Sequence, residues 1–125
     1  MVLTYDEVGD VLDQIAEDFP PDFFDGLNGG IRLEEDAKPD PKFPPGELYI
    51  MGEYRQDMSG NSILIYYGSF VAVHGHRGRA AWERELFKTL AHEFTHHLEH
   101  RGGLHALDDK DAEFMARMKT KYQLE

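Results

Sequence analysis

An unbroken helical repeat from Ala80 to Arg101 constrains this chain more than any other feature. Leu86, Phe87, Leu90, Ala91, Phe94 and Leu98 return at spacings of three and four and fall on one half of a helical wheel. His92, His96, Glu85 and Thr89 share the other half, with Glu93 and His100 at its margin. Gly102-Gly103 follows, where a left-handed residue commonly ends a helix. A helix with one apolar side needs a second layer to bury that side, and the remainder of the chain must supply it.

The supply begins at the N-terminus. Val8, Val11, Leu12, Ile15 and Phe19 form an apolar stripe, and Thr4 with Glu7 three residues on fits a capping box, so the spacing predicts a helix over 4–19 stopped by Pro20-Pro21. Gly30 to Glu35 reads as a short strand, and Asp36 to Pro45, with four prolines, as a loop. Glu47 to Arg55 alternates, and Asn61 to Phe70 is rich in Ile, Leu, Tyr and Phe. Two strands joined by a turn around Ser59-Gly60-Asn61 are expected there, followed by a loop over Val73 to Arg79. A last helix is expected from Leu107 to Tyr122. The expectation is an α+β fold in a single domain over 1–125, a small, mostly antiparallel or mixed sheet packed on the long helix.

Composition narrows the chemistry. The 125 residues include no cysteine, so any metal must be held by nitrogen and oxygen. Asp and Glu outnumber Lys and Arg by 24 to 13, a formal net charge of −11 that repels phosphate backbones and anionic lipid. The expected partners therefore exclude nucleic acid and membrane. No run approaches the ~20 apolar residues of a membrane helix. The acidic N-terminus does not look like a signal peptide, which makes the cytoplasm the expected location.

Within the long helix, His92-Glu93-Phe94-Thr95-His96 is an HExxH motif. Residues four apart lie one turn along the same face, so both imidazoles can reach one ion. Imidazole nitrogen is a good ligand for Zn2+, the expected cofactor, and Glu93 beside the first ligand is placed to take a proton from a metal-activated water. A match by composition alone arises in about a few per cent of such chains, and a solvated polar face would show the same wheel.

A zinc site needs a third protein ligand. A histidine six residues after the second would complete a metzincin set, but position 102 is glycine. The last helix offers Asp108, Asp109, Asp111 and Glu113 beside the stripe Leu107, Phe114, Met115, Met118 and Tyr122. Asp111 falls in the middle of that stripe, where an aspartate is costly to bury without a partner or a cation, and so is the expected ligand. The alternative is that the helix begins near Asp109 and Asp111 complements its N-terminal dipole. Glu113 is second choice, then His100 and His105.

With these residues in view, the chain resembles the small bacterial zincin-like metallopeptidases, whose motif is HExxHH followed by an acidic segment. The resemblance runs through Pro20-Pro21-Asp22-Phe23, the segment Ile63 to Gly68, and His92 to His97. It implies a minimal zincin-like fold and a zinc-dependent peptidase with two histidine ligands and an acidic third. The chain departs from the family's pattern after His97, where Leu98 to Gly103 acts as an insertion before the acidic helix; alignment across it again arrives at Asp111.

The expected function is hydrolysis of peptide bonds in peptides or unfolded segments, with Glu93 as general base, His92, His96 and Asp111 as metal ligands, and an exposed sheet edge holding the substrate. The alternative is a metal-binding or interaction module without turnover. His97 faces the apolar half of its helix and reads as a packed core histidine, His74 and His76 as solvated loop residues. Tyr54, Tyr66 and Tyr67 read first as strand formers, any of which could donate to an oxyanion.

Overall fold

The computed structural model describes residues 2–102 and 109–122. Helix α1 spans Tyr5–Glu17, and the expected capping box is present: Thr4 Oγ1 accepts from Glu7 N–H while the Glu7 carboxylate accepts from Thr4 N–H. Val8, Val11, Leu12 and Ile15 are buried as the stripe requires. Pro20 cannot extend the helix, and the chain turns through a 3-10 segment at Pro21–Phe24 that buries Phe23.

Five strands follow: β1 Gly30–Glu34, β2 Lys38–Pro39, β3 Tyr49–Ile50, β4 Gly52–Asp57 and β5 Gly60–Tyr66. The main sheet has the order β1-β5-β4, with β1 parallel and β4 antiparallel to β5, so the sheet is mixed. Strands β2 and β3 make a separate antiparallel ribbon. The segment read as one strand over 47–55 therefore divides at Met51, whose carbonyl accepts from Tyr66 N–H as the chain passes from ribbon to sheet. The β4–β5 hairpin closes on Asp57 opposite Gly60; Asp57 Oδ1 accepts from Ser59 N–H, and Gly60 takes φ +113°, which side-chain-bearing residues avoid. As the middle strand, β5 is covered on both faces, and Ile63, Leu64, Ile65 and Tyr66 are all buried.

The second departure from expectation comes after β5. The strand ends at Tyr66, and Tyr67–His74 forms helix α2. The apolar run through this junction has no polar break to signal the change, and tertiary packing decides it. Gly68 lies so close to the Ala37 backbone that a Cβ there would collide, and its N–H donates to the Glu35 carbonyl. Helical spacing then sets Phe70 and Tyr67 against Trp82.

Helix α3, Arg79–Gly102, buries Trp82, Leu86, Phe87, Leu90, Phe94 and Leu98, the face read from the wheel. Helix α4 is described over Asp109–Lys121; the expected start at Leu107 lies outside the described residues. It docks through Phe114 and Tyr122: Phe114 meets Phe19 and Phe23, and Tyr122 stacks on Phe87 at 4.6 Å. Phe94 lies 4.7 Å from Phe19, so the aromatic core sits directly beneath the HExxH turn. Among the described residues no helix is long and apolar enough to cross a membrane.

Candidate metal centre

Because α3 buries Phe94 and Leu90 on one side, His92 and His96 must project from the other, and both are exposed. Their Nε2 atoms stand 3.1 Å apart, with the rings edge to face. Two imidazole nitrogens bound to one tetrahedral zinc at about 2.0–2.1 Å would be about 3.3 Å apart, so the pair is already set at the spacing of a shared ion. Glu99 Oε1 lies 3.9 Å from His96 Nδ1. A carboxylate on that side favours the proton on Nδ1 and leaves the Nε2 lone pair for a cation.

Glu93 completes the group. Ligand atoms of His92, Glu93 and His96 all lie within 4.8 Å of one another. Unlike its neighbours Glu93 is buried, 6% exposed. That burial pushes its carboxyl above the ordinary range; His96 and a hydrogen bond from the Tyr54 backbone N–H oppose the rise, and Glu53 adds to it. The cluster thus has the composition of a divalent-cation site: two nitrogen donors facing each other and a carboxylate whose charge is poorly solvated.

Strand β4 forms the opposite wall. Gly52, Glu53, Tyr54 and Gln56 face His92, Glu93, His96, Glu99 and His100 across an open cleft of about 640 Å³. Close approach depends on Gly52: a Cβ there would lie 2.8 Å from Thr89 Cγ2 and 3.0 Å from the Leu64 carbonyl. The bond from Tyr66 N–H to the Met51 carbonyl fixes the phase of the ladder. In that phase Glu53, Arg55 and Asp57 bond to β5, and Gly52, Tyr54 and Gln56 turn their backbone groups outward. The edge beside the metal cluster therefore carries unspent backbone hydrogen-bonding groups. The opposite edge is partly closed, since Tyr5 Oη donates to the Leu33 carbonyl of β1.

His97 is fully buried, as its place on the wheel requires, and both its nitrogens are engaged. Nε2 lies 2.8 Å from the Asp25 carbonyl, which can only accept, so Nε2 carries the proton and Nδ1 accepts from Tyr54 Oη at 2.8 Å. Burial holds its pKa below the ordinary imidazole range; the bond to Asp25 opposes this, and Arg101 and His100 add to the lowering. The three tyrosines considered as oxyanion donors all have other partners: Tyr54 with His97, Tyr66 with Glu53, and Tyr67 with the Leu3 carbonyl.

Asp111 is buried as expected, but the structure does not bring it to the histidine pair. It occupies the first turn of α4 and lines a different cavity with Pro20, Asp22, Glu113 and Arg117. Glu113 lines that same cavity. His100 lies in the metal cleft with its ring against the Gln56 amide. His105 and Asp108 fall outside the described residues.

Three residues depart from the loop reading of 73–79: Val73 and His74 belong to α2, and Arg79 opens α3. His74 ends α2 and is buried against Phe70, with Nδ1 3.0 Å from Arg77 and Nε2 3.9 Å from Glu85. Glu85, on the polar half of the wheel, is thus paired with His74 and stands outside the metal group. A sheet edge at the site is expected from sequence, but not the β4 residues that form it; the available signal is the alternation of Gly52, Tyr54 and Gln56 onto one strand face.

No family model matches the sequence, and no curated protein matches it. Among solved structures, the chain is similar to a conserved hypothetical protein from Thermo thermophilus, with 33% identity and a TM-score of 0.69 over 80% of this chain and 98% of that one. The chain belongs to the family of that protein.

Proposed function

We propose that the protein is a zinc-dependent peptidase with a minimal zincin-like fold. The observation that carries the reading is the facing pair of Nε2 atoms at 3.1 Å, with the Glu93 carboxylate in the same group and an open strand edge across the cleft. His92 and His96 would hold the ion. Zinc bound there supplies Lewis acidity toward water and toward a peptide carbonyl.

The chain's own residues do the rest. Glu93 keeps one interaction with the Tyr54 N–H, and its raised pKa suits a group that both accepts and returns a proton near neutrality. It takes a proton from the attacking water as oxygen bonds to the carbonyl carbon, and delivers it to the amine nitrogen as the C–N bond breaks. The outward backbone groups of Gly52 and Gln56, with the Tyr54 carbonyl, are suited to an extended peptide added as a strand. An open cleft on so small a domain favours peptides or unfolded segments over a deeply enclosed ligand.

One observation favours a second reading, metal binding without turnover. The Glu93 oxygen lies close enough to both histidines to serve as a ligand itself, and a ligating carboxylate is not free as a base. Glu93→Gln separates the two. Under the peptidase reading the variant binds zinc as tightly as the parent and loses hydrolysis of a peptide library; under the binding reading it loses zinc.

A further inference from the structure

The HExxHH motif contains one histidine that the proposed chemistry does not use. The geometry points to His97 as a positioning residue that acts on Glu93 through Tyr54, fixing the edge strand at the depth where the Tyr54 N–H meets the Glu93 carboxylate. Its bearing on catalysis rests on the reading of Glu93 as base; the positioning itself does not.

The chain of contacts is continuous. The Asp25 carbonyl accepts from His97 Nε2–H at 2.8 Å, and His97 Nδ1 accepts from Tyr54 Oη at 2.8 Å. Tyr54 turns its backbone N–H outward into the cleft that it lines together with Glu93, where it draws the carboxyl down against the effect of burial. His97 adjoins His96 and lies one turn beyond Glu93 on α3, so the same helix that carries the base also carries the anchor for the strand that holds the base. Asp25 is fixed in turn, its carbonyl accepting from Arg101 at 3.2 Å. Tyr54 side chain and Tyr54 backbone thus grip α3 at two points. Without the hydroxyl contact, β4 is held near the site by its ladder to β5, by the Gly52–Thr89 contact at the strand's start and by Gln56 against His100 toward its end.

The two imidazole nitrogens make the idea testable with near-isosteres. Asparagine places its amide oxygen near Nδ1 and can still accept from Tyr54. Glutamine places its amide nitrogen near Nε2 and can still donate to Asp25, but gives up Tyr54. Amide hydrogen exchange of the Tyr54 N–H in the full chain reads the contact directly and does not depend on any hydrolytic activity. Tyr54→Phe and His97→Gln are expected to speed that exchange about tenfold relative to amides of β1, and His97→Asn to leave it near the parent rate. Zinc affinity is expected to stay within about twofold of the parent in all three, since His92 and His96 keep their positions. Parent-like exchange in Tyr54→Phe and His97→Gln, or equal acceleration in His97→Asn and His97→Gln, would overturn the proposal. A parent protein that binds zinc but hydrolyses nothing would count against the peptidase reading alone.

Discussion

His92 Nε2 and His96 Nε2 approach to 3.1 Å on the exposed face of α3, whereas Asp111 is buried along a separate cavity at the start of α4. The metal content of variants follows from that separation. His96→Ala is expected to lose bound zinc entirely. Asp111→Asn is expected to keep the parent stoichiometry and to lower the melting temperature instead, because it alters a buried, partnered carboxylate. Elemental analysis of the two purified variants checks this; zinc loss in Asp111→Asn would restore that residue to the ligand set.

Glu93 also leaves a trace in stability. Burial raises its folded pKa, so between the unfolded carboxylate range and that higher value the folded state binds more protons than the unfolded state. Stability contributed by the neutral carboxyl is present at low pH and is lost as pH rises through the folded pKa. With zinc removed by chelator, Glu93→Gln is expected to melt a few degrees above the parent at pH 8 and level with it near pH 4. Equal differences at both pH values would contradict the assignment.

His97 and His74 act in the opposite sense. Burial lowers both, with Arg101 and His100 adding at His97 and Arg77, His76 and Lys88 adding at His74, where Glu85 opposes. The unfolded state then binds more protons below the ordinary imidazole range, and stability is lost as pH falls through the lowered folded values. Denaturant titrations from pH 7.5 to 5 are expected to show this loss, with a shallower slope in His97→Asn and shallower again in the double variant with His74→Gln.

The contact between Gly52 and Thr89 sets how closely β4 rides on α3. Gly52→Ala is expected to cost about 1–3 kcal/mol through overpacking. Thr89→Ala in the same chain removes the nearest of the obstructing atoms and should return part of that loss. The Leu64 carbonyl, at 3.0 Å, keeps the recovery incomplete. A double-mutant cycle measured by urea unfolding gives the coupling, and strict additivity would show that Thr89 is not the obstruction.

The parts of the fold written in local chemistry were legible in advance. The Thr4–Glu7 box, the Pro20 stop, the buried face of α3 and the core position of His97 all follow from spacing within a turn or two. What failed depended on partners distant in sequence. The strand-to-helix change at Tyr67 depends on Gly68 meeting Ala37, and the break at Met51 depends on which strand each half pairs with. Within the site, the two histidines and Glu93 lie within five residues and could be read together, whereas their opposite wall comes from β4 through tertiary packing alone. Asp111 was legible as a buried carboxylate, but its placement along the cavity it shares with Asp22, Glu113 and Arg117 comes from tertiary packing.

An edge strand left open has a second consequence. Outward backbone groups that the proposed reading gives to a peptide are equally open to the same strand from another copy, the usual route to unwanted self-association. Glu53, Arg55 and Asp57 alternate along β4 with the outward-facing positions, and the hairpin ends two residues beyond Asp57 at Ser59. Short length and charge of both signs are common guards against such pairing, so this border can stay available to a guest chain while discouraging the protein from zipping onto itself.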